Sequence, residues 1–323
     1  MSQALIPNQI GGPAMRIRMG QLARRLAPHV YARYVDRARH QQRQRIARLL
    51  ADPTPPTLLG VESWDALMAR SLPRSSEYPY DRFSATGRAG GRVQRLASLL
   101  PALQRPCTVL EVSCGEGLVG AVMAVGGHEV VLTDIRDWRS DGARHLPFVQ
   151  WDVGDAPPFD ARRFDLVVAY NATEHWTDPD TALAHLLAAC KPGGYVVLDF
   201  GPLFNSPWGL HAWSLGFPYP QFLFDREVIN TGIARIGVND VGHAASVLQS
   251  TNGWTIESFR TLWQRCGAAT LQLTEDRDYR YLDFVEEFGP CFRGRGLSLE
   301  DLTINSIEIV LQKPSATASQ NEF

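Results

Sequence analysis

The sequence predicts an α/β protein organised around a mostly parallel sheet. Apolar runs that read as buried strands recur at 107–112 (CTVLEV), 129–133 (EVVLT), 147–151 (PFVQW), 165–170 (DLVVAY) and 195–200 (YVVLDF). Helical candidates, notably 117–126 and 179–190, alternate with them. Near-continuous apolar strands joined by helices imply a sheet covered on both faces. The closing strands are expected at 269–273 and 304–312 (INSIEIVLQ), with a long polar insertion between them.

Composition supports a folded chain. Of 323 residues, 45% are hydrophobic and 20% charged, enough for a sizeable core. A net charge of −2 provides no overall attraction to nucleic acid or anionic membranes. No run of about eighteen apolar residues is present, which argues against a membrane-spanning helix. The five cysteines are scattered without a C-x-x-C pair, so reduced thiols and a cytoplasmic location are expected.

The flanks are less regular. Residues 1–15 are expected to be loosely ordered, and ten arginines against the single acid Asp36 fall between Arg16 and Arg48. Leu22, Leu26 and Val30 recur there at helical spacing, with Pro28 expected to bend or divide the segment. This stretch reads either as a patch attracting phosphate, RNA or a membrane surface, or as a helical extension with a solvated face that caps the core or a partner subunit. The scarcity of interleaved aromatics favours the extension, which is also the candidate contact for a second copy of the chain. Residues 52–60 read as a linker, 73–91 as polar and Gly-rich, and 93–103 as a short helix. The expected division is an N-terminal helical extension and linker over 1–92, a main domain over 93–313, and a disordered tail over 314–323. Within the main domain, 201–255 is aromatic and rich in Gly and Pro, and is expected to be a lid over an acceptor; aromatic faces suit a sugar ring, while most of these aromatics taken singly read as packing the lid onto the sheet.

The chemistry is concentrated in VLEVSCGEGLVG, residues 109–120. A strand carrying Glu111 runs into a turn through Ser113, Gly115 and Gly117, and a helix begins. Glycine suits positive φ or close approach of a ligand to backbone, and the helix start offers unpaired N–H groups. Gly115, Gly117 and Gly120 also spell the dinucleotide G-x-G-x-x-G, so the turn alone leaves the ligand open. Asp134 then closes the second strand, where a carboxylate can accept both ribose hydroxyls of an adenosine, with Ile135 beside it. Asp152 follows the third strand, placed for an adenine amine, and Val153 adjoins it. The fourth strand leads into Asn171-Ala172-Thr173-Glu174-His175-Trp176. Each carboxylate alone reads as an ordinary polar strand end; their order at successive strand ends points to a ligand across the carboxyl edge of the sheet.

Together these motifs resemble class I S-adenosylmethionine-dependent methyltransferases, from about Val93 to Lys313 and most specifically over 107–200. The resemblance implies a Rossmann-like, seven-stranded, mostly parallel sheet closed by an antiparallel strand, with S-adenosylmethionine as cofactor. It implies cofactor contacts from Glu111, Ser113, Gly115, Gly117, Asp134, Ile135, Asp152, Val153 and Asn171. Ser113 departs from the glycine common at that place in the turn.

For the acceptor, Asn171 lacks the following Pro-Pro of base-amine methylation and no cysteine lies at that strand end. The expected reaction is O-methylation of a small molecule, a glycan sugar or a natural product, and nucleic acid is disfavoured. His211 is the first candidate general base, with His175 and Glu174 behind it and Asp199 within reach of the same edge. Both histidines also have an ordinary structural reading. No His/Asp/Glu spacing suggests a metal, and none is expected. The rivals are RNA methylation guided by the basic segment, an NAD(P)-linked oxidoreductase, and a non-catalytic scaffold retaining the cofactor fold.

Overall fold

A computed structural model describes residues 28–71, 81–236, 238–240, 243–245, 248 and 251–315. Seven strands form one sheet: β1 (Thr108–Val112), β2 (Glu129–Asp134), β3 (Phe148–Gln150), β4 (Phe164–Tyr170), β5 (Cys190–Phe200), β6 (Ala269–Arg277) and β7 (Ile304–Gln312). Their order is β3-β2-β1-β4-β5-β7-β6, with β1 to β5 parallel. β7 runs antiparallel to β5 and β6 antiparallel to β7. The order reverses direction at β1, so the carboxyl ends of β1 and β4 flank the switch point where open α/β sheets bind ligands.

Alternation along each strand builds two cores. On one face Leu110, Val112, Val167 and Ala169 pack with Leu183 and Leu186 of α5 (Pro179–Ala189) and with Phe259 and Trp263 of α8 (Ile256–Arg265). On the other, Val109, Leu132, Leu166 and Val168 pack with Ala89 and Leu96 of α3 (Arg82–Leu99) and Val119 and Met123 of α4 (Leu118–Val125). Both faces are dry, which is why the strands read as apolar runs rather than alternating ones.

α3 extends the short helix expected at 93–103 back into the polar, Gly-rich stretch, of which 73–80 lies outside the described residues. The helix starts eleven residues earlier, at Arg82, with the Asp81 side chain accepting the Ser84 N–H at 2.9 Å. Small residues at Ala85 and Ala89 are buried, and tertiary burial overrides the weak helix propensity of Gly87, Gly90 and Gly91.

A third core takes in two further segments. Phe217, Tyr219, Phe222 and Phe224 from the 201–255 segment pack with Ile46 and Leu50 of α1 (Pro28–Leu50) and Trp64 and Leu67 of α2 (Val61–Arg70). Ile229 and Ile233 of α7 (Arg226–Ile236), which follows the short α6 (Pro220–Leu223), complete one side. The other comes from the stretch expected to be a polar insertion. It forms three short helices, α9 (Leu282–Glu287), α10 (Gly289–Phe292) and α11 (Leu299–Thr303), burying Leu282, Val285, Phe292 and Leu302. Tyr219 donates its hydroxyl to the Leu302 carbonyl at 2.8 Å, satisfying its polar end inside this core. Trp208 is buried as well. The aromatics assigned to an acceptor lid are therefore largely core residues.

The segment expected to bend or divide at Pro28 lies, ahead of Pro28, outside the described residues. Leu22, Leu26 and residues 1–15 lie outside the described residues, as does 316–323 of the expected tail. Among the described residues no helix is long and apolar enough to cross a membrane.

Candidate active site

The turn after β1 is left-handed at three residues, Ser113 (φ 51°), Gly115 (φ 51°) and Gly117 (φ 71°). A Cβ built on Gly115 meets nothing within 4 Å, so its backbone faces open space that a ligand can approach. Gly120, one turn into α4, is required for a different reason. A Cβ there would sit 2.5 Å from Leu132 Cδ2 and 2.8 Å from Glu111 Oε2. That absence lets the Gly120 N–H donate to Glu111 Oε2 at 2.7 Å. Glu111 is buried, and burial raises its carboxyl to about 7, only partly offset by the Gly120 amide and the charge of Arg92.

Asp134 closes β2 and is nearly buried, its carboxyl raised chiefly by that burial. Its Oδ2 accepts the Gly115 N–H at 2.9 Å and Oδ1 the Ile135 N–H at 2.7 Å. The Arg136 amide also favours the ionised form, and a carboxylate with about four acceptor positions keeps room for a hydroxyl donor. Next to it Ile135 and Trp138 are 55% and 53% exposed, an apolar surface of the kind that covers a base. The Trp151 N–H donates to the Asp134 carbonyl at 2.9 Å, bringing Asp152 and Val153 alongside. Asp152 is exposed and accepts the Gly154 N–H at 2.9 Å, while the Val153 carbonyl lies 2.9 Å from His185 Nδ1.

At the end of β4, Asn171 is left-handed (φ 49°) and donates its N–H to the Asp199 carbonyl at 2.8 Å. A single 3₁₀ turn, Thr173–His175, follows. Asn252 holds that turn from both sides, its backbone N–H on the Glu174 carbonyl and its Nδ2 on the Thr173 carbonyl, each at 2.8 Å. Trp176 Nε1 lies 3.5 Å from Ser113 Oγ, which ties the turn to the Gly-rich loop. Glu174 is 1% exposed and burial raises its carboxyl. Its Oε1 accepts the Gly201 N–H at 3.1 Å, and Oε2 is buried with no hydrogen-bond partner among the described residues.

His211, thirty-six residues beyond His175, returns to the same place. The two rings are edge to face, with centroids 4.9 Å apart. His211 Nε2 is 2.8 Å from the Pro202 carbonyl, and its backbone is left-handed (φ 55°). Burial, with a smaller contribution from neighbouring His175, pushes its imidazole down to about 3. One ligand-capable atom from each of Glu174, His175 and His211 lies within 4.8 Å of the others. The grouping comes from a loop return that has no spacing signature in sequence.

Sequence reading also missed Arg92. From α3 its guanidinium lies 4.4 Å over the Tyr170 ring and acts on Glu111, Tyr170 and Asp199 together. The signal that could have found it was Ala85, Ala89 and Leu96 on one helical face.

A family described as a methyltransferase domain matches residues 80–272, more than half of the chain. The chain belongs to this methyltransferase family. S-adenosylmethionine is accordingly the cofactor of the domain, and the open left-handed turn and the part-satisfied Asp134 carboxylate fit it. Among characterised proteins, the ubiquinone biosynthesis O-methyltransferase of Alkalilimnicola ehrlichii is 32% identical over 119 residues, 34% of this chain and 47% of that protein. That of Coxiella burnetii (strain Dugway) is 27% identical over 143 residues, 37% of this chain and 58% of that protein. The methyltransferase thus spans about half the length of the curated relatives it matches. Solved structures similar to it include an S-adenosylmethionine-dependent methyltransferase from Methanosarcina mazei (16% identity, 68% of this chain, 97% of that one, TM-score 0.44). Another, from Mesorhizobium loti, is 17% identical, with 68% of this chain and 96% of that one covered and a TM-score of 0.43.

Proposed function

We propose that this methyltransferase methylates a hydroxyl oxygen of a small-molecule acceptor, a glycan sugar or a natural product. The observation that carries the reading is the Glu174–His175–His211 cluster, joined through Trp176 to the Ser113 turn. Bound S-adenosylmethionine supplies an electrophilic methyl group on a sulfonium. For the chain's own residues, Asp134 takes the ribose hydroxyls, Ile135 and Trp138 cover the base, and Asp152 and Val153 border it. Ser113, Gly115 and Gly117 receive the methionine end, with Glu111 and Asn171 shaping the turn around it. Arg92 offers a cation for a carboxylate.

A hydroxyl acceptor needs its proton held or removed and its oxygen aligned. Burial keeps the His211 ring neutral, and His175, only half-buried, stands beside it at the edge of the cleft where an acceptor enters. With most lid aromatics in the core, sugar stacking is not what favours an oxygen acceptor; the acid–imidazole cluster is. The O-methylation that names the similar ubiquinone-biosynthesis proteins is consistent with it.

The test is calorimetric titration with S-adenosylmethionine, S-adenosylhomocysteine and NADPH, followed by incubation of acceptor panels with deuteriomethyl donor and mass spectrometry. Micromolar binding of the first two, weakened more than about tenfold in Asp134→Ala, is expected for a charged hydrogen bond lost. Label on hydroxylated small molecules supports the reading; label only on RNA, or binding of NADPH alone, overturns it.

A further inference from the structure

We propose that Glu174, His175 and His211 form a binding site for a divalent first-row cation of the zinc class. The existence of the site stands on side-chain geometry; only its use rests on the O-methylation reading above. Their ligand atoms lie within 4.8 Å of one another. Two ligands on a tetrahedral cation with bonds near 2.1 Å are about 3.4 Å apart, so a closing movement of about an ångström assembles the site.

His211 is preset for such a role. A carbonyl only accepts, so the 2.8 Å contact to Pro202 places the proton on Nε2. The other nitrogen, Nδ1, is then the one through which the ring would meet a cation. An imidazole whose second nitrogen donates to a backbone carbonyl is the arrangement that orients metal-bound histidines. The left-handed backbone at His211 is held in place by this loop.

Glu174 supplies the second argument. One oxygen is oriented by the Gly201 N–H, while buried Oε2 has no hydrogen-bond partner among the described residues. Burying a carboxylate oxygen unpaired is costly, and a cation removes the cost. Gly201 and Pro202 are consecutive, so one loop orients both Glu174 and His211. His175 is only half-buried and sets the cluster at the edge of the cleft.

Two imidazole nitrogens with one carboxylate suit zinc, cobalt or manganese rather than magnesium or calcium, which prefer oxygen. Three protein ligands leave a coordination position open, as in catalytic rather than structural sites. An acceptor hydroxyl bound there loses its proton to water more readily, because the cation lowers its pKa.

The experiment titrates metal-stripped full-length protein with Co2+, read by visible d–d absorption, and with Zn2+ and Mg2+ by calorimetry. Expected are a cobalt band displaced by Zn2+ but not by Mg2+, and a loss of affinity above about a hundredfold in His211→Ala and His175→Ala, exceeding that of an outer partner. S-adenosylhomocysteine affinity should persist in both. His175→Ala, at a half-buried position, keeps the test valid if His211→Ala misfolds; its circular dichroism checks this. Absence of a cobalt band, or Zn2+ affinity unchanged in His175→Ala, overturns the site. A cobalt site in a protein that labels no hydroxylated acceptor leaves the site standing and removes the O-methylation reading.

Discussion

Glu111 shows how one residue joins folding to the cofactor site. Its carboxylate accepts the Gly120 amide across a gap that a Cβ at residue 120 would close, so it orients the start of α4 and the turn before it. Burial raises this carboxyl from the ordinary glutamate range to about 7. In the unfolded chain it ionises earlier, so between those values the folded state binds more protons. The stability it contributes is therefore fully present below the ordinary range and is lost as pH rises through about 7. Glu111→Gln retains an oxygen for the Gly120 amide without the charge. The variant should gain stability relative to the wild type on going from pH 5 to pH 8, on the order of 3 kcal/mol at most for the shift involved. Urea unfolding at both pH values checks this; parallel curves would show that Glu111 ionises freely in the folded protein.

At the scale of elements, α8 and α11 share a start. Asp301 Oδ2 accepts the Ser298 N–H at 2.7 Å in a capping box for α11, and Oδ1 accepts the Ile256 N–H at 2.7 Å at the first turn of α8. Asp301 is 4% exposed, so neither amide has water as a substitute. Asp301→Ala should cost about 1–4 kcal/mol, the sum of two caps. A midpoint shift in urea matching only one cap would mean that the α8 contact is incidental. Ser298-x-x-Asp301 is legible as a capping motif in sequence; its second use, for a helix forty-five residues earlier in the chain, is not. The same holds for α3, whose glycines obscure a helix that burial sustains.

For the whole molecule, the third core decides what can be separated. Ile46, Leu50, Trp64 and Leu67 bury against residues 212–233 and 282–302, so α1 and α2 complete the packing of the main domain. Trp64 meets Phe217 and Phe224 edge to face, with centroids 5.5 and 5.2 Å apart. Removing residues 1–71 uncovers that apolar face. The truncated protein should aggregate or unfold at least about 10 °C lower, since several buried large side chains lose their partners. A monomeric truncation with unchanged thermal midpoint would instead make residues 1–71 a detachable extension.

The sequence by itself determined the sheet, because strands buried on both faces must be apolar throughout and the helices between them must carry one apolar stripe. It also determined the left-handed turn after β1 and the acid at the end of β2, since glycine spacing and strand-end carboxylates are local facts. Tertiary structure alone decided that the 201–224 aromatics form a core with the N-terminal helices. It alone brought His211 back to Glu174 and His175. Contacts between residues far apart in the chain leave no period to read, and burial of a polar group shows only when its neighbours are in place.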